Sequence, residues 1–320
     1  QQLVGELMLY DKTYVMNGKQ LKNSILQWAI QGKLVPQNPN DEPASVLLDK
    51  IRQEKERLIK EKKIKRDKNA SIIYRGEDNS YYEKLLATGE VKCIDEEVPF
   101  EIPQGWEWCR LRDIILGTNA GKSPNCEKRP KKSEEWGVLT TTSIQENAFL
   151  SNENKVLPKH YVITPEHCVR YGDILITRAG PVNRTGIVCM VENNCDKLIL
   201  SDKTVRIDYM RDHCNPKFLV FVLNSTAIHD LVMSATVGMA ASQVNVSQNS
   251  IQNTLIPFPP SKEQQKIINK LEALLPQIEK YDNAQNKLDE LNKTVKDIIK
   301  KSILQEAVQG KLVPQLAEED

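Results

Sequence analysis

The residues best suited to chemistry lie between positions 117 and 245. Thr140-Thr-Thr-Ser143 sets four hydroxyls side by side, and hydroxyls can meet phosphate oxygens or base edges. Arg178 and Arg184 flank an Ala179-Gly-Pro turn, and the arginine fork is the favoured bidentate partner of guanine. Gln243 and Asn245 are amides of the kind that pair with adenine. Gly117-Thr-Asn-Ala-Gly-Lys-Ser123 is a small, polar, flexible loop carrying Lys122. It can cradle a phosphate, although it lacks the earlier glycine at P-loop spacing. Lys128-Arg-Pro-Lys-Lys132 is a basic loop, either solvated or set against phosphate. Singly, each of these reads at least as well as structural. As a set on one face, Lys122, Thr141, Thr142, Ser143, Arg178, Arg184, Gln243 and Asn245 form a polar, cationic reading surface.

Covalent chemistry has little to stand on. Asn215-Pro-Lys-Phe218 superficially resembles the Asn/Asp-Pro-Pro-Tyr/Phe loop of adenine methyltransferases. Its third position is Lys, no Gly-rich cofactor loop precedes it, and Asn-Pro is an ordinary helix start. No Walker-type loop or Pro-Asp…Glu-x-Lys nuclease pattern stands out. The seven cysteines are scattered with no Cys-x-x-Cys pair, and the four histidines do not cluster with them. They read as small buried or half-buried thiols in a reducing cytosol, with no metal site and no cofactor. No apolar run is long enough for a membrane span, and the mildly apolar residues 1–9 are too few. A soluble, cytoplasmic binding protein is expected, whose chemistry belongs to partners. The net charge of +1 is silent on partners, so local distribution matters more.

Positioning such a surface needs a scaffold, and the chain advertises one by repetition. Leu21-Lys-Asn-Ser-Ile-Leu-Gln-Trp-Ala-Ile-Gln-Gly-Lys-Leu-Val-Pro-Gln37 returns near the end as Ile299-Lys-Lys-Ser-Ile-Leu-Gln-Glu-Ala-Val-Gln-Gly-Lys-Leu-Val-Pro-Gln315, with 13 of 17 positions identical. Each copy reads as the last turns of an amphipathic helix, stopped by Gly32 or Gly310 and then by Pro36 or Pro314. The chain is thus one period of a larger pattern. A larger relative would carry two periods, and a chain with one would pair with a copy of itself.

The spacing predicts a short helix over 19–31 and a second over 44–66, capped by Asp41 or Glu42 with Pro43 in its first turn. The second ends in Lys60-Glu-Lys-Lys-Ile-Lys-Arg-Asp-Lys68, six basic residues in nine. This is either a solvated helix C-terminus or a phosphate-contacting stripe. Residues 69–96 read as a polar connector. From 110 to about 260 the texture is short strands (138–143, 174–177, 186–191, 203–207, 254–257) between turn signals, with an embedded helix from 216 on to about 233. A long helix follows, capped by Ser261, with Pro276 as a kink or split. Its apolar positions Leu271, Leu274, Ile278, Tyr281, Leu288, Leu291, Val295 and Ile298 run at spacings of three and four with one slip. From 277 to 307 it would be a rod of about 45 Å. Such a stripe must pack on the 19–66 helices or on a second chain.

Val98-Pro-Phe-Glu-Ile-Pro-Gln-Gly-Trp-Glu-Trp-Cys-Arg-Leu111 resembles the start of a target-recognition domain in the DNA-specificity subunits of type I restriction–modification enzymes. So do Tyr171-Gly-Asp-Ile-Leu-Ile-Thr-Arg178 and the run from Asn245-Val-Ser-Gln through Pro257-Phe-Pro-Pro-Ser-Lys-Glu-Gln-Gln-Lys266. The repeat resembles the end of that family's spacer helices. The resemblance covers roughly residues 20–315. It implies an α+β fold: one mixed α/β target-recognition domain with a curved, mostly antiparallel sheet, plus long coiled-coil-like spacer helices.

The implied domains are 1–96 (N-terminal helical segment), 97–260 (recognition) and 261–320 (spacer and dimerisation helix). The family's usual subunit has two recognition domains separated by two antiparallel helices, and this chain has one of each. The resemblance therefore implies a half-subunit that homodimerises by helix packing and reads two inverted half-sites on double-stranded DNA. The implied partners are methyltransferase subunits and a restriction/translocase subunit, and the chain itself would be non-catalytic. The rival from another class is a coiled-coil dimeriser whose globular domain binds protein.

Overall fold

The structure is a computed structural model and describes residues 16–146, 148–236 and 243–312. The apolar segment 1–9 and the last residues of the second repeat copy, 313–315, lie outside the described residues. Two compact units emerge, residues 25–271 on one hand and residues 16–24 with 272–312 on the other.

Helix α1 (Gly18–Ile30) puts Leu21, Ile25, Leu26, Ala29 and Ile30 on one buried face, at helical spacing. It ends as its sequence demands. Gly32 adopts φ +67°, its N–H bonds Ala29 O at 3.3 Å, and Lys33 N bonds Trp28 O at 2.8 Å. A side chain at 32 would also meet Pro103, since its Cβ would lie 2.3 Å from the proline Cγ. At the other end Asn17 and Gln20 form a reciprocal capping box, with Gln20 N on Asn17 Oδ1 at 2.9 Å and Asn17 N on Gln20 Oε1 at 3.0 Å.

Helix α2 (Ala44–Lys60) buries Ala44, Leu47 and Ile51. The expected acidic cap is absent: Pro43 holds the capping position, without a side-chain bond. Asp41 instead receives Lys266 at 2.9 Å. The helix stops short of 66 because Lys62 turns left-handed at φ +58°. Its N–H returns to Ile59 O and that of Lys63 to Leu58 O, closing the helix. Part of the basic run is then neutralised locally: Arg66 folds onto Glu56 at 2.6 Å and Lys63 onto Glu61 at 2.7 Å.

Residues 69–96 are no mere connector. Strands β1 (Ser71–Arg75), β2 (Tyr81–Leu85) and β3 (Val91–Cys93) make an antiparallel meander that turns Ser71, Ile73 and Tyr81 inward. Strand β4 (Glu107–Arg110), the short helix α3 (Leu111–Ile114) and β5 (Ile115–Ala120) follow. Next come β6 (Gly137–Leu139), β7 (Ile144–Gln145), β8 (Ala148–Phe149) and β9 (Asn154–Val156). Then come β10 (Ile174–Thr177), β11 (Ala179–Gly180), β12 (Val188–Met190), β13 (Leu198–Ile199) and β14 (Thr204–Tyr209).

The embedded helix is two: α4 (Pro216–Asn224), capped by the Asn215 side chain, and α5 (Thr226–Ser234), with extended Ser225 between them. Strand β15 (Val244–Asn245), helix α6 (Gln248–Gln252) and β16 (Leu255–Phe258) lead into α7 (Ser261–Val308). Ser261 is already helical, so Pro260 occupies the capping place expected of it. Pro276 neither kinks α7 into two elements nor ends it.

The main sheet is four-stranded and antiparallel, in the order β12-β10-β14-β5. Ile174, Leu175 and Ile176 are all fully buried, as a strand covered on both faces requires. Around Leu175 gather Leu139, Ile144, Phe149, Val169, Cys189, Val191, Leu198 and Leu200. Helix α4 packs on β12. There Asn224 completes the strand edge, with its Nδ2 on Val188 O at 2.7 Å and Val188 N on its Oδ1 at 3.0 Å. Strands β4 and β16 pair antiparallel, Trp108 opposite Pro257, so residues 107–110 and 255–258 are clamped together.

In the second unit, the start of α1 lies against α7. Asp282 Oδ1 accepts from Gly18 N at 2.9 Å, and Tyr281 OH donates to Met16 O at 2.8 Å. Along α7, Leu271 and Ile278 are buried and Leu274 and Tyr281 half-buried, whereas Leu288, Leu291, Val295 and Ile298 are exposed.

Candidate nucleic-acid interface

The residues singled out by type converge on one end of the four-stranded sheet. That end holds the last residues of β5 and β10 and the first of β12 and β14: Thr177 faces Thr204, Ile176 faces Val188, and Ala120 faces Val205. Loops leave the sheet here, and loops on a rigid strand scaffold are where binding groups are usually carried.

Lys122 enters from β5. Gly121 pins the loop by donating to Ser201 O at 3.0 Å, and a Cβ there would lie 1.8 Å from Leu200 O, so only glycine fits. Ser123 bonds the Asp202 carboxylate, which leaves Lys122 exposed beside the 201–203 turn. That turn carries Lys203, also exposed, whose carbonyl accepts from Arg178 N at 2.9 Å.

Arg178 leads into β11, which pairs with β15 so that Ala179 faces Asn245. The pairing brings the Asn245 Oδ1 within 3.3 Å of Arg178 Nη2 and 3.4 Å of its Nε. Across Gly180 lies Thr141, whose methyl would stand 3.8 Å from a Cβ on the glycine. Arg184, at the end of the Pro181-Val-Asn turn, donates to Gln145 Oε1 at 2.8 Å. Gln145 in turn donates to Thr142 O at 2.7 Å. The cluster is therefore continuous from Lys122 through Lys203, Arg178 and Asn245 to Thr141, Gln145 and Arg184.

The hydroxyl run divides. Thr141 is half-buried at the surface, and Thr142 Oγ1 donates to the Glu153 carboxylate at 2.6 Å. Ser143 is fully buried, with its hydroxyl on Thr140 O. Burial withdraws Ser143 from any direct ligand contact, and its role here is to shape the turn that presents Thr141. Gln243 is exposed and next to residues 237–242, which are not described. Lys203, Gln145, Val182 and Asn183 were not anticipated. Lys203, in the turn before β14, was read as the first residue of a strand, and the Pro181-Val-Asn tip exposes Val182 and Asn183 between the two arginines.

The electrostatics separate these arginines from their neighbours. Arg178 and Arg184 rest on amide oxygens, which leave the guanidinium charge uncancelled. Arg206, in the interior of the same sheet, is 7% exposed and paired with Asp208 at 2.8 Å and Asp173 at 3.7 Å. Arg110 is held by Glu83 at 2.6 Å and Glu97 at 2.8 Å, and Arg112 by Asp67 at 3.1 Å. A guanidinium with no carboxylate partner among the described residues, at a loop-bearing sheet end, is free to fork onto phosphate or guanine.

Elsewhere, burial pushes the thiols of Cys189 and Cys214 up to about 12, so these stay protonated. Cys93, by contrast, is exposed rather than buried as its class suggested. The half-buried Asp113 carboxyl is pushed up to about 6, chiefly by desolvation, against the opposing pull of Lys55. Among the described residues no group of His, Cys, Asp and Glu could hold a metal ion, and no helix is long and apolar enough to cross a membrane.

Residues 103–292 match the family model for the type I restriction modification DNA specificity domain. The Type I restriction enzyme EcoEI specificity subunit of Escherichia coli is 42% identical over 253 residues, 79% of this chain and 39% of that protein. The EcoAI specificity subunit of the same organism is 32% identical over 265 residues, 80% of this chain and 39% of that one. The chain thus spans about two fifths of the length of these curated relatives. The solved HsdS subunit of Thermoanaerobacter tengcongensis is 22% identical, with a TM-score of 0.41, covering 70% of this chain and 53% of that one. On the family match, which takes in more than half its length, the chain belongs to the type I restriction–modification DNA specificity domain family.

Proposed function

We propose that this chain is a sequence-reading part of a type I specificity subunit. It binds double-stranded DNA through the loops at the end of the main sheet. In doing so it directs methyltransferase subunits, and with them a restriction/translocase subunit, to a bipartite target in the cytoplasm. The chain is itself non-catalytic. Lys122, Thr141, Arg178, Arg184, Gln243 and Asn245 face the duplex, joined by Lys203, while Thr142 and Ser143 hold the turn behind them. The one observation that carries this reading is the pairing of Arg178 and Arg184 with amides, beside a main sheet whose own arginine, Arg206, is paired with carboxylates. Phosphate contact supplies affinity and base-edge contact supplies discrimination, and the cluster holds both kinds of group.

In this reading residues 97–260 form the recognition domain, residues 261–320 the spacer and dimerisation helix, and residues 1–96 the N-terminal helical segment. Leu271, Leu274, Ile278 and Tyr281 belong to the braced half of the spacer stripe. Leu288, Leu291, Val295 and Ile298 form its open half, 48–61% exposed. An apolar stripe this wet supports helix-to-helix homodimerisation, which would set two reading heads at a fixed distance. Exchanging residues 97–260 for those of a relative, in complex with the methyltransferase partner, tests the whole. A methylation pattern that follows the exchanged segment is expected, and a pattern indifferent to it refutes the assignment.

A further inference from the structure

The polar groups at the loop-bearing end of the main sheet are matched to two bases. The arginine fork suits guanine, and the asparagine amide suits adenine. Thymine carries a different mark in the major groove, its 5-methyl group, which is read by apolar contact. Val182 is placed for that contact. It stands at the tip of the loop between Arg178 and Arg184 and is 46% exposed.

Isolated aliphatic side chains are ordinary on a protein surface. Val182 differs from these in how it is held. Val182–Arg184 is a 3₁₀ turn entered through Pro181, whose ring fixes φ at −58°. Arg184 N closes the turn on Pro181 O at 2.8 Å. Beneath it Thr185 is fully buried, and its hydroxyl donates to Gly180 O at 3.3 Å and to Pro181 O at 3.1 Å. The Thr185 carbonyl lies 3.1 Å from His229 Nε2 on α5, and Gly186 N donates to Thr177 O at 2.8 Å. The base of the loop is thus tied to α5 and to β10, and its tip, Pro181 to Asn183, is exposed.

The side chain adds stiffness of its own, because a β-branched residue has few χ1 choices. Packing its methyls against a ligand costs little ordering, whereas a lysine or glutamine in that place would lose several rotamers. The neighbours supply the attraction. Arg178 is propped on Asn245 at 3.3 Å and Arg184 on Gln145 at 2.8 Å, so a guanidinium stands on either side of the aliphatic tip. Cations flanking an apolar apex suit a polyanion whose groove displays methyl groups.

We propose that Val182 reads thymine: its methyl groups pack against the 5-methyl of one thymine in the major groove, beside the bases met by Arg178 and Arg184. This rests on the DNA-reading role proposed above, and it adds a base to what the cluster can distinguish. Thr141 carries a rival methyl at this end, but that methyl lies against Gly180, 3.8 Å from where a Cβ of that residue would stand. Uracil pairs as thymine does and lacks the methyl, so it is the discriminating probe.

The test starts from the duplex enriched by the full chain together with the methyltransferase subunit proposed as its partner. Each thymine is replaced in turn by deoxyuridine, and binding is measured by competition. At one position loss of the methyl weakens binding on the order of fourfold. Val182→Ala weakens binding to the thymine duplex by a similar factor and makes the chain indifferent to that replacement, at an unchanged melting temperature. Val182→Ile, which keeps a branched aliphatic, preserves the sensitivity.

An enriched duplex with no thymine, or with none whose methyl matters, overturns the inference and leaves the reading role standing. So does a methyl whose effect survives Val182→Ala, or one whose effect is lost in Thr141→Ser instead. Failure to enrich any sequence removes the reading role itself, and the inference with it.

Discussion

Two groups of arginines in this molecule share a chemistry and differ in their partners. At the junction of the meander with β4 and α3, Arg110 and Arg112 are buried and matched by Glu83, Glu97 and Asp67. At the loop-bearing end of the main sheet, Arg178 and Arg184 are half-exposed and propped on Asn245 and Gln145. Charges taken out of water must be matched, whereas an amide orients a guanidinium without consuming its charge. The junction arginines are matched inside the fold, and the sheet-end arginines keep an uncancelled charge at the surface, which is the basis of the role proposed for them.

Substitutions should separate the two groups sharply. Arg110→Ala leaves the mostly buried Glu83 carboxylate without its cation and Glu97 with Lys92 alone, and should cost about 3–5 kcal/mol of unfolding free energy. Chemical denaturation reads this directly, and a loss below about 1 kcal/mol would place Arg110 with the reading group after all.

A second junction group sharpens the same contrast through pH. The Asp113 carboxyl accepts Ser71 N at 3.2 Å and is raised from 3.8 to about 6 by burial. A raised folded value means that its contribution is fully present below its unfolded value and is lost as pH rises through about 6. Between pH 4 and 7 the natural chain should therefore lose about 2 kcal/mol relative to Asp113→Asn. Parallel stability curves for the two proteins would contradict the assignment.

Arg178→Ala and Arg184→Ala should behave in the opposite way. Each should change stability by less than about 0.5 kcal/mol. Each should weaken discrimination among duplex sequences by about 1–3 kcal/mol, seen as relaxed specificity in competition binding. The smallest expected effect is at the first turn of α7. Trp106→Phe removes the indole donor to the buried Glu263 together with some buried ring volume, for a loss of about 1–2 kcal/mol in thermal or chemical unfolding.

Much of the scaffold could be read from residue order alone, because its signals are local. The helix stop at Gly32, the strand at 174–177 and the Asn215 start of α4 are all short-range facts, whereas the kink or split expected at Pro276 does not divide α7. The meander was missed although its turns are written as Gly76-Glu-Asp-Asn-Ser80 and Thr88-Gly-Glu90. A small sheet with one solvated face looks polar, and its inward positions Ser71, Ile73 and Tyr81 are too few to set a pattern.

The Asn17–Gln20 capping box was equally local, but it uses Asn where Ser or Thr is the usual signal. The reading residues were identifiable by type. Their grouping was not, because Arg178 meets Asn245 across 67 positions and Arg184 meets Gln145 across 39. Nor could composition reveal that Ser143 would be sealed while Thr141 stays at the surface. That follows from the turn leaving β6, which only the folded sheet defines.

The most direct measurement selects from a random duplex library with the chain together with the methyltransferase subunit proposed as its partner, and repeats the selection with Arg178→Ala and Arg184→Ala combined. The account predicts an enriched sequence with the natural chain and its loss or broadening with the double variant, at an unchanged melting temperature. An enriched sequence that survives both substitutions intact would contradict it.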